Sequence, residues 1–257
     1  MKSPGPVTIV IPMAGLGSRF VSAGYRDPKP LIDVFGRTMI EAVIENLRPA
    51  GDARFVFVCQ REHFERYGLA TVFQRSLGDS WSAVKLDGLT EGAACTVLAA
   101  DGEIGGSSGM VVANADQIVD GGLTAFLEFA VEADLDGLVM SFPATSPKWS
   151  YARVDDLGWV REIAEKRVIS RHATVGVYYF RDGATYRDAA TQMIAKGLRV
   201  NGEFYVAPVY NEVIAGGGRV RLFEVSANAM HGIGTPEDLE AYCALRGGYV
   251  SSSAPVR

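Results

Sequence analysis

Little in this chain supports chemistry built on sulfur or imidazole. Its 257 residues hold 3 cysteines and 3 histidines. Cys59, Cys95 and Cys243 stand far apart with no C-x-x-C pair, which excludes a thiolate metal cluster and a disulfide framework. They read as buried free thiols in a reducing compartment. His63, His172 and His231 are scattered, so no nucleophile–base–acid triad can be drawn from them. No apolar run reaches the roughly 18 residues of a membrane-spanning helix. The short N-terminal run is interrupted by Pro6 and Pro12, unlike a signal peptide, and a cytoplasmic protein is expected. A basic excess is also lacking. Lys and Arg number 25 against 30 Asp and Glu, for a net charge of −5. That speaks against general binding to nucleic acid or anionic membrane and leaves room for a local basic pocket.

What is present is ordinary for a globular chain, with 48% hydrophobic and 21% charged residues, enough for one large α/β domain. Short β-branched runs alternate with amphipathic runs of helical length, the pattern of a mainly parallel sheet with crossover helices. Strands are predicted at Val7–Pro12, Arg54–Gln60, Ser82–Leu86 and Met110–Asp116, the last an apolar run that stops on an acid. Helices are predicted at Arg37–Leu47, His63–Leu77 and Glu91–Ala100. The second half reads differently. Gly137–Ala144, Tyr151–Asp155, Trp159–Lys166 and Ala173–Phe180 follow with few helices between them, as antiparallel hairpins turning at Asp155–Gly158. Helices near Gly183–Ala195 and Tyr205–Ala215, a strand at Arg219–Ser226 and a helix from Pro236 complete the chain. One domain over 1–247 is expected, with a nucleotide-binding half at 1–120, an acceptor half at 121–247 and a flexible tail at 248–257.

The segment Ile11–Phe20, IPMAGLGSRF, follows the first strand. A dinucleotide loop needs a third glycine where Phe20 stands, and the G-K-[ST] of a P-loop is missing. An isolated G-x-G is often only a connection. Here Lys29 follows ten residues after Arg19, held between Pro28 and Pro30 on a stiff turn. Exposed amides and two fixed cations at one strand end suit a triphosphate.

GLGSRF, KPL and GRTMIE together resemble the G-x-G-x-R…K-P signature of the nucleotidyltransferases that activate sugar 1-phosphates, with their cytidylyltransferase relatives. EGAACTVLAA, NAD at 114–116, AEK at 164–166, TVGVYYF and GIGTPEDL extend the resemblance along nearly the whole chain. The segments 146–155 and 201–214 resemble a subgroup linked with capsule and lipopolysaccharide genes, which includes an enzyme coupling CTP to phosphorylated glutamine. The resemblance implies a Rossmann-like three-layer α/β/α nucleotidyltransferase fold, glycosyltransferase-A-like, with a mixed central sheet. It implies Mg²⁺ as cofactor and, as substrates, an NTP (CTP, UTP or dTTP) with a phosphomonoester acceptor. It admits a homodimer and gives no role to nucleic acid or membrane.

Residue by residue, the resemblance implies Arg19, Lys29 and Asp116 as catalytic, with Asp116 the metal ligand. Met13, Ala14, Gly15, Leu16, Gly17, Ser18, Glu91, Gly92, Ala93 and Asn114 would bind nucleotide, and Glu165, Lys166, Gly176 and Glu203 the acceptor. One departure is visible. Gly232 stands where the family carries a second metal-binding Asp, so either the ion keeps an extra water or a residue such as His231 or Glu203 takes over. The implied reaction joins two anions, so it needs charge neutralisation and alignment rather than a covalent nucleophile. Plainer readings stand beside these. Asp116 could cap the helix after Gly121–Gly122, Glu165 and Lys166 could end a solvated strand, and Trp149 and Tyr151 could pack the sheet. Two other functions stay open: a sugar-nucleotide-dependent glycosyltransferase, which would carry D-x-D where this chain has Asn114-Ala115-Asp116, and a non-catalytic nucleotide sensor.

Overall fold

Val7–Pro12 is hydrophobic on both faces, and the computed structural model, which describes residues 5–105 and 109–247, shows why. This strand lies mid-sheet, parallel to Ala53–Gln60 on one side and Met110–Ala113 on the other. Ile9, Ile11, Phe55 and Phe57 face a layer built by the helices Met39–Leu47, Leu69–Leu77, Thr124–Glu132 and Pro236–Leu245. Val10, Val56 and Val58 face the opposite layer of Ala93–Leu98, Gly183–Ala195 and Val209–Ala215. Period-2 alternation therefore feeds two cores from the same strands, giving three layers.

Among the described residues the sheet has nine strands and is mixed. Trp81–Leu86 extends it in parallel beyond Ala53–Gln60. On the other side the long strand His172–Phe180 runs antiparallel to Met110–Ala113 and to Gly137–Pro143, which is joined in turn by the parallel strand Val220–Glu224. Tyr151–Val154 and Val160–Ala164 complete the antiparallel edge. After the first strand the chain builds outward through 53–60 and 81–86, then returns to place 110–113 on the first strand's other flank. Strand order reverses there, so a crevice opens at the carboxyl ends of Val7–Pro12 and Met110–Ala113. A cleft of about 660 Å³ lies at the opposite, amino ends beside Val7, Ala53 and Arg54, away from those loops.

Several predicted boundaries move, each for a local reason. The helix expected at 37–47 starts at Met39, because Thr38 and Glu41 form a reciprocal capping box. The helix expected at 63–77 is two helices, Arg61–Arg66 and Leu69–Leu77, divided by Gly68 at φ 61°. The helix expected at 91–100 is Ala93–Leu98, preceded by Gly92 at φ 125°. The one expected at 205–215 begins only at Val209 after Pro208. A two-stranded sheet with no sequence signal adds to these: Gln117–Val119 pairs antiparallel with Met230–Gly232. The Asp155–Gly158 turn is present, with Asp155 Oδ1 accepting from the Leu157 and Trp159 amides. The 248–257 tail and part of the glycine-rich 102–109 segment lie outside the described residues.

The cysteines are free, with Cys59 and Cys243 buried and Cys95 only half-buried. No helix among the described residues is long and apolar enough to cross a membrane.

Candidate active site

The loop after the first strand is tied down at its start and open at its tip. The Met13 amide donates to Val58 O at 2.8 Å, and Gln60 Nε2 donates to Ala14 O at 2.9 Å. Gln60 was not anticipated; it tethers the loop to the neighbouring strand end. Met13 and Ala14 are buried, Gly15, Leu16, Ser18 and Arg19 are exposed, and Gly17 adopts φ 63° to start the short helix Ser18–Ser22. A Cβ on Gly17 would stand 3.0 Å from Lys29 Cβ, so the glycine lets the two segments touch. Arg19 faces the start of the last helix. Glu237 there is held below the usual carboxylate range by its own backbone N–H, the Thr235 hydroxyl and Arg19.

Lys29 opens a 3-10 turn whose Pro30 is buried, so its backbone is fixed and its side chain reaches across the crevice. Its Nζ lies 2.5 Å from Asp116 Oδ2, both side chains being about three-quarters buried. Asp116 does not cap a helix; the next helix, Thr124–Glu132, has Leu123 at its N-cap. Asp116 instead precedes Gln117–Val119, which Asn46 grips as a fork: Nδ2 donates to Val119 O at 2.8 Å and Oδ1 accepts from Val119 N at 2.9 Å. The Ile233 amide donates to Asp116 O at 2.9 Å.

The last segment is not arranged as expected. Gly234, not Gly232, faces Asp116: a Cβ there would stand 2.5 Å from Oδ2. Gly232 pairs with Gln117, and its missing side chain would meet Asp238. His231 does not take over as a ligand, because its Nε2 lies 3.1 Å from Asp120 Oδ2 in a cluster with Arg246. Glu203 is exposed, its charge adding to the upward push on Glu165. No group of three or more His, Cys, Asp or Glu is placed to hold an ion among the described residues. Asp116 is nevertheless a hard oxygen donor already holding a cation, the Lys29 ammonium. That fits Mg²⁺, which takes one or two carboxylates and completes its shell with water and phosphate oxygens.

Asn114 links this crevice to a cavity of about 220 Å³ lined by Asn114, Glu165, Lys166, Gly176, Tyr178 and Tyr205. The Asn114 amide donates to Gly176 O at 2.9 Å. A Cβ on Gly176, at φ 96°, would come within 2.1 Å of Gln117 Oε1 and 2.4 Å of Asn114 Nδ2, so only glycine fits. Asn211 fixes the edge strand as Asn46 fixes the other, accepting from Ile163 N and donating to Ile163 O, both at 2.8 Å. Glu165 and Lys166 follow that strand, Lys166 exposed to solvent and Glu165 partly buried. The Ser150 hydroxyl donates to the Glu165 carboxylate, and burial pushes that carboxyl above its usual range. Lys166 Nζ donates to Tyr205 Oη at 2.6 Å and sits 4.6 Å over its ring. Lys148, also unanticipated, sits 4.6 Å over the Trp149 ring and 3.6 Å from Asp238.

The remaining expected residues are placed as follows. Tyr151 is buried and donates to Ser146 O at 2.7 Å, while Trp149 meets Phe142 edge-on at 5.4 Å. Gly92 packs against the Phe204 backbone, where a Cβ would stand 2.5 Å from its oxygen. The Glu91 carboxylate reaches Arg199 at 2.5 Å, and Ala93 borders the cavity.

Residues 9–199 match the family described as Nucleotidyl transferase. Among solved structures, the chain is similar to the nucleoside-diphosphate-sugar pyrophosphorylase from Vibrio cholerae RC9. Identity is 25%, over 91% of this chain and 98% of that one, with a TM-score of 0.78. It is also similar in fold to a UDP-glucose pyrophosphorylase complexed with UDP-glucose, at 18% identity, 93% and 98% coverage and a TM-score of 0.76. No curated protein matches.

Proposed function

Because this chain belongs to the nucleotidyl transferase family, we propose that it couples CTP, UTP or dTTP to a small phosphomonoester with release of pyrophosphate. The observation that carries this reading is the Lys29–Asp116 contact at 2.5 Å, made between the glycine loop and the Asn114–Gln117 rim of the cavity. A cation and a carboxylate side by side where two phosphates must meet serve phosphoryl chemistry, and the cavity beyond them receives the acceptor.

The loop 15–18 offers backbone amides to the triphosphate, and Arg19 holds its β and γ oxygens with a planar fork. Lys29 bridges the α-phosphate and the acceptor phosphate, reducing the repulsion between two anions as they close. An acceptor oxygen attacks the α-phosphorus, the bond to the β-phosphate oxygen breaks, and charge collects on the leaving pyrophosphate near Arg19. Asp116 would hold Mg²⁺, which when bound supplies Lewis-acid neutralisation of the phosphates. Glu165 accepts hydrogen bonds from acceptor hydroxyl or amine groups, and Lys166 contributes positive charge beside it.

A cavity of about 220 Å³ suits a compact acceptor. A sugar 1-phosphate fits that description, as does a phosphorylated metabolite such as L-glutamine phosphate with CTP as donor. The product would be an activated precursor for cell-surface polysaccharide. The test is a pyrophosphate-release screen of CTP, UTP and dTTP, with Mg²⁺, against sugar 1-phosphates and phosphorylated small metabolites. Pyrophosphate and a nucleotide-linked product from one pair support the reading; tight nucleotide binding without turnover on any acceptor overturns it.

A further inference from the structure

Lys29 has a second consequence, which rests on the proposed reaction but concerns the enzyme before substrate arrives. Its ammonium lies on the carboxylate that would hold the metal, with Nζ 2.5 Å from Asp116 Oδ2. Gly234 stands on the other side of the same oxygen, where any side chain would collide with it, since an added Cβ would come within 2.5 Å. The Lys29 backbone cannot retreat. It is set by a turn with buried Pro30 and lies against Gly17. The side chain is free to swing, and a bound triphosphate would offer the ammonium new anionic partners.

We infer that Lys29 acts as a placeholder cation on Asp116, so that the free enzyme disfavours a divalent ion until a triphosphate draws the ammonium away. Two cations sharing one partly buried carboxylate repel each other strongly enough to matter even with solvent screening. Nucleotide removes that repulsion by giving Lys29 phosphate oxygens, so metal and nucleotide strengthen each other's binding by a common factor, as linkage requires. Lys29 is thus a positioning residue for the metal as well as a bridge between phosphates, and loading is coupled: metal enters with the triphosphate, not ahead of it.

The test is Mn²⁺ affinity measured by electron paramagnetic resonance on the full chain, without nucleotide. Wild-type enzyme should bind Mn²⁺ weakly. Lys29→Met and Lys29→Gln should bind it about tenfold more tightly despite losing turnover, in keeping with the removal of a neighbouring like charge. Lys29→Arg, which keeps the charge, should stay weak, and adding Asp116→Asn to either neutral variant should abolish the gain. Should the methionine variant fail to fold by circular dichroism, the polar glutamine variant carries the measurement. Neutral variants that bind Mn²⁺ no more tightly than wild type overturn the inference. Because the readout is metal binding, its failure leaves the pyrophosphate screen untouched, and failure of the screen leaves this result standing.

Discussion

Asp116 and Glu165 are held by the same device and placed in opposite environments. Each adjoins a short strand gripped by an asparagine fork from a helix, Asn46 on Val119 and Asn211 on Ile163. Asp116 then meets an ammonium at 2.5 Å, whereas Glu165 meets a hydroxyl and enough burial to push its carboxyl upward. Backbone geometry alone therefore does not decide what a carboxylate does. The first is kept beside positive charge and suits phosphate and metal; the second is kept nearly neutral-tolerant and suits a hydrogen-bonding acceptor. On the proposed reading, the nucleotide half would generalise, its amides and fixed cations fitting any triphosphate. On the same reading the acceptor half would discriminate, through a small cavity and the side chains of Glu165 and Lys166.

The sharpest way to break the contrast is Asp116→Asn, which removes the anion without changing side-chain size. Turnover should fall by about 10³-fold or more, the scale of losing a charge-neutralising metal anchor, with melting temperature little changed. Pyrophosphate release from this variant at wild-type rates would take Asp116 out of the site. Next in size is Arg19→Ala, expected to lower kcat/KM on the order of 10²-fold, as for one donor to developing charge. Arg19→Lys should recover only part of that loss, since a point charge lacks the fork. Steady-state kinetics with saturating acceptor separates the two variants.

Glu165→Gln should raise acceptor KM by about tenfold while leaving the KM for nucleotide unchanged, the scale of one charged hydrogen bond. It also carries a stability prediction with a definite sign. Glu165's carboxyl is raised, chiefly by burial, so the native chain binds its proton more readily than the unfolded chain. The stability this gives is full below the usual carboxylate value and is lost as pH rises through the raised one. Glutamine cannot ionise, so the variant should melt at or above wild type at neutral pH and gain nothing in acid. A lower melting temperature at neutral pH would show that the ionised carboxylate is itself a stabilising partner.

The smallest expected effects sharpen the comparison further. Asn46→Leu removes the side-chain partner of the Val119 N–H, while the Val119 carbonyl keeps the Gly122 amide at 3.2 Å, and Asn211→Leu removes the side-chain partners of both Ile163 backbone groups, each at a cost of about 2 kcal/mol. Kinetically they should diverge, the first weakening nucleotide and metal, the second weakening only the acceptor. Equal effects on both substrates would mean the two halves are not separately positioned.

Much of this was legible before the fold was known, and the pattern of misses is physical. The central strands are legible in continuous β-branched runs, and Asp116, expected to end its strand but lying three residues past Met110–Ala113, stands out because the apolar run leads to it. Arg19 and Lys29 were legible through the glycines and prolines around them. The capping box at Thr38 and Glu41 is readable as a T-x-x-E pattern ahead of an apolar run. The forks, the Gln60 tether and the pairing of Gln117–Val119 with Met230–Gly232 were not readable, since each joins residues far apart in sequence by one or two bonds and leaves no periodicity. The same holds for Gly234. Motif position pointed to Gly232, but the short sheet's register decides which glycine faces Asp116.

The most direct measurement follows oxygen. With an acceptor found by the pyrophosphate screen and labelled with ¹⁸O on its phosphate, attack by that phosphate on the α-phosphorus predicts a product with ¹⁸O in the bridge. An isotope shift should then appear on the nucleotide-derived phosphorus by ³¹P nuclear magnetic resonance, beside unlabelled pyrophosphate. Label in the released pyrophosphate, or release of a nucleoside diphosphate in its place, would contradict it.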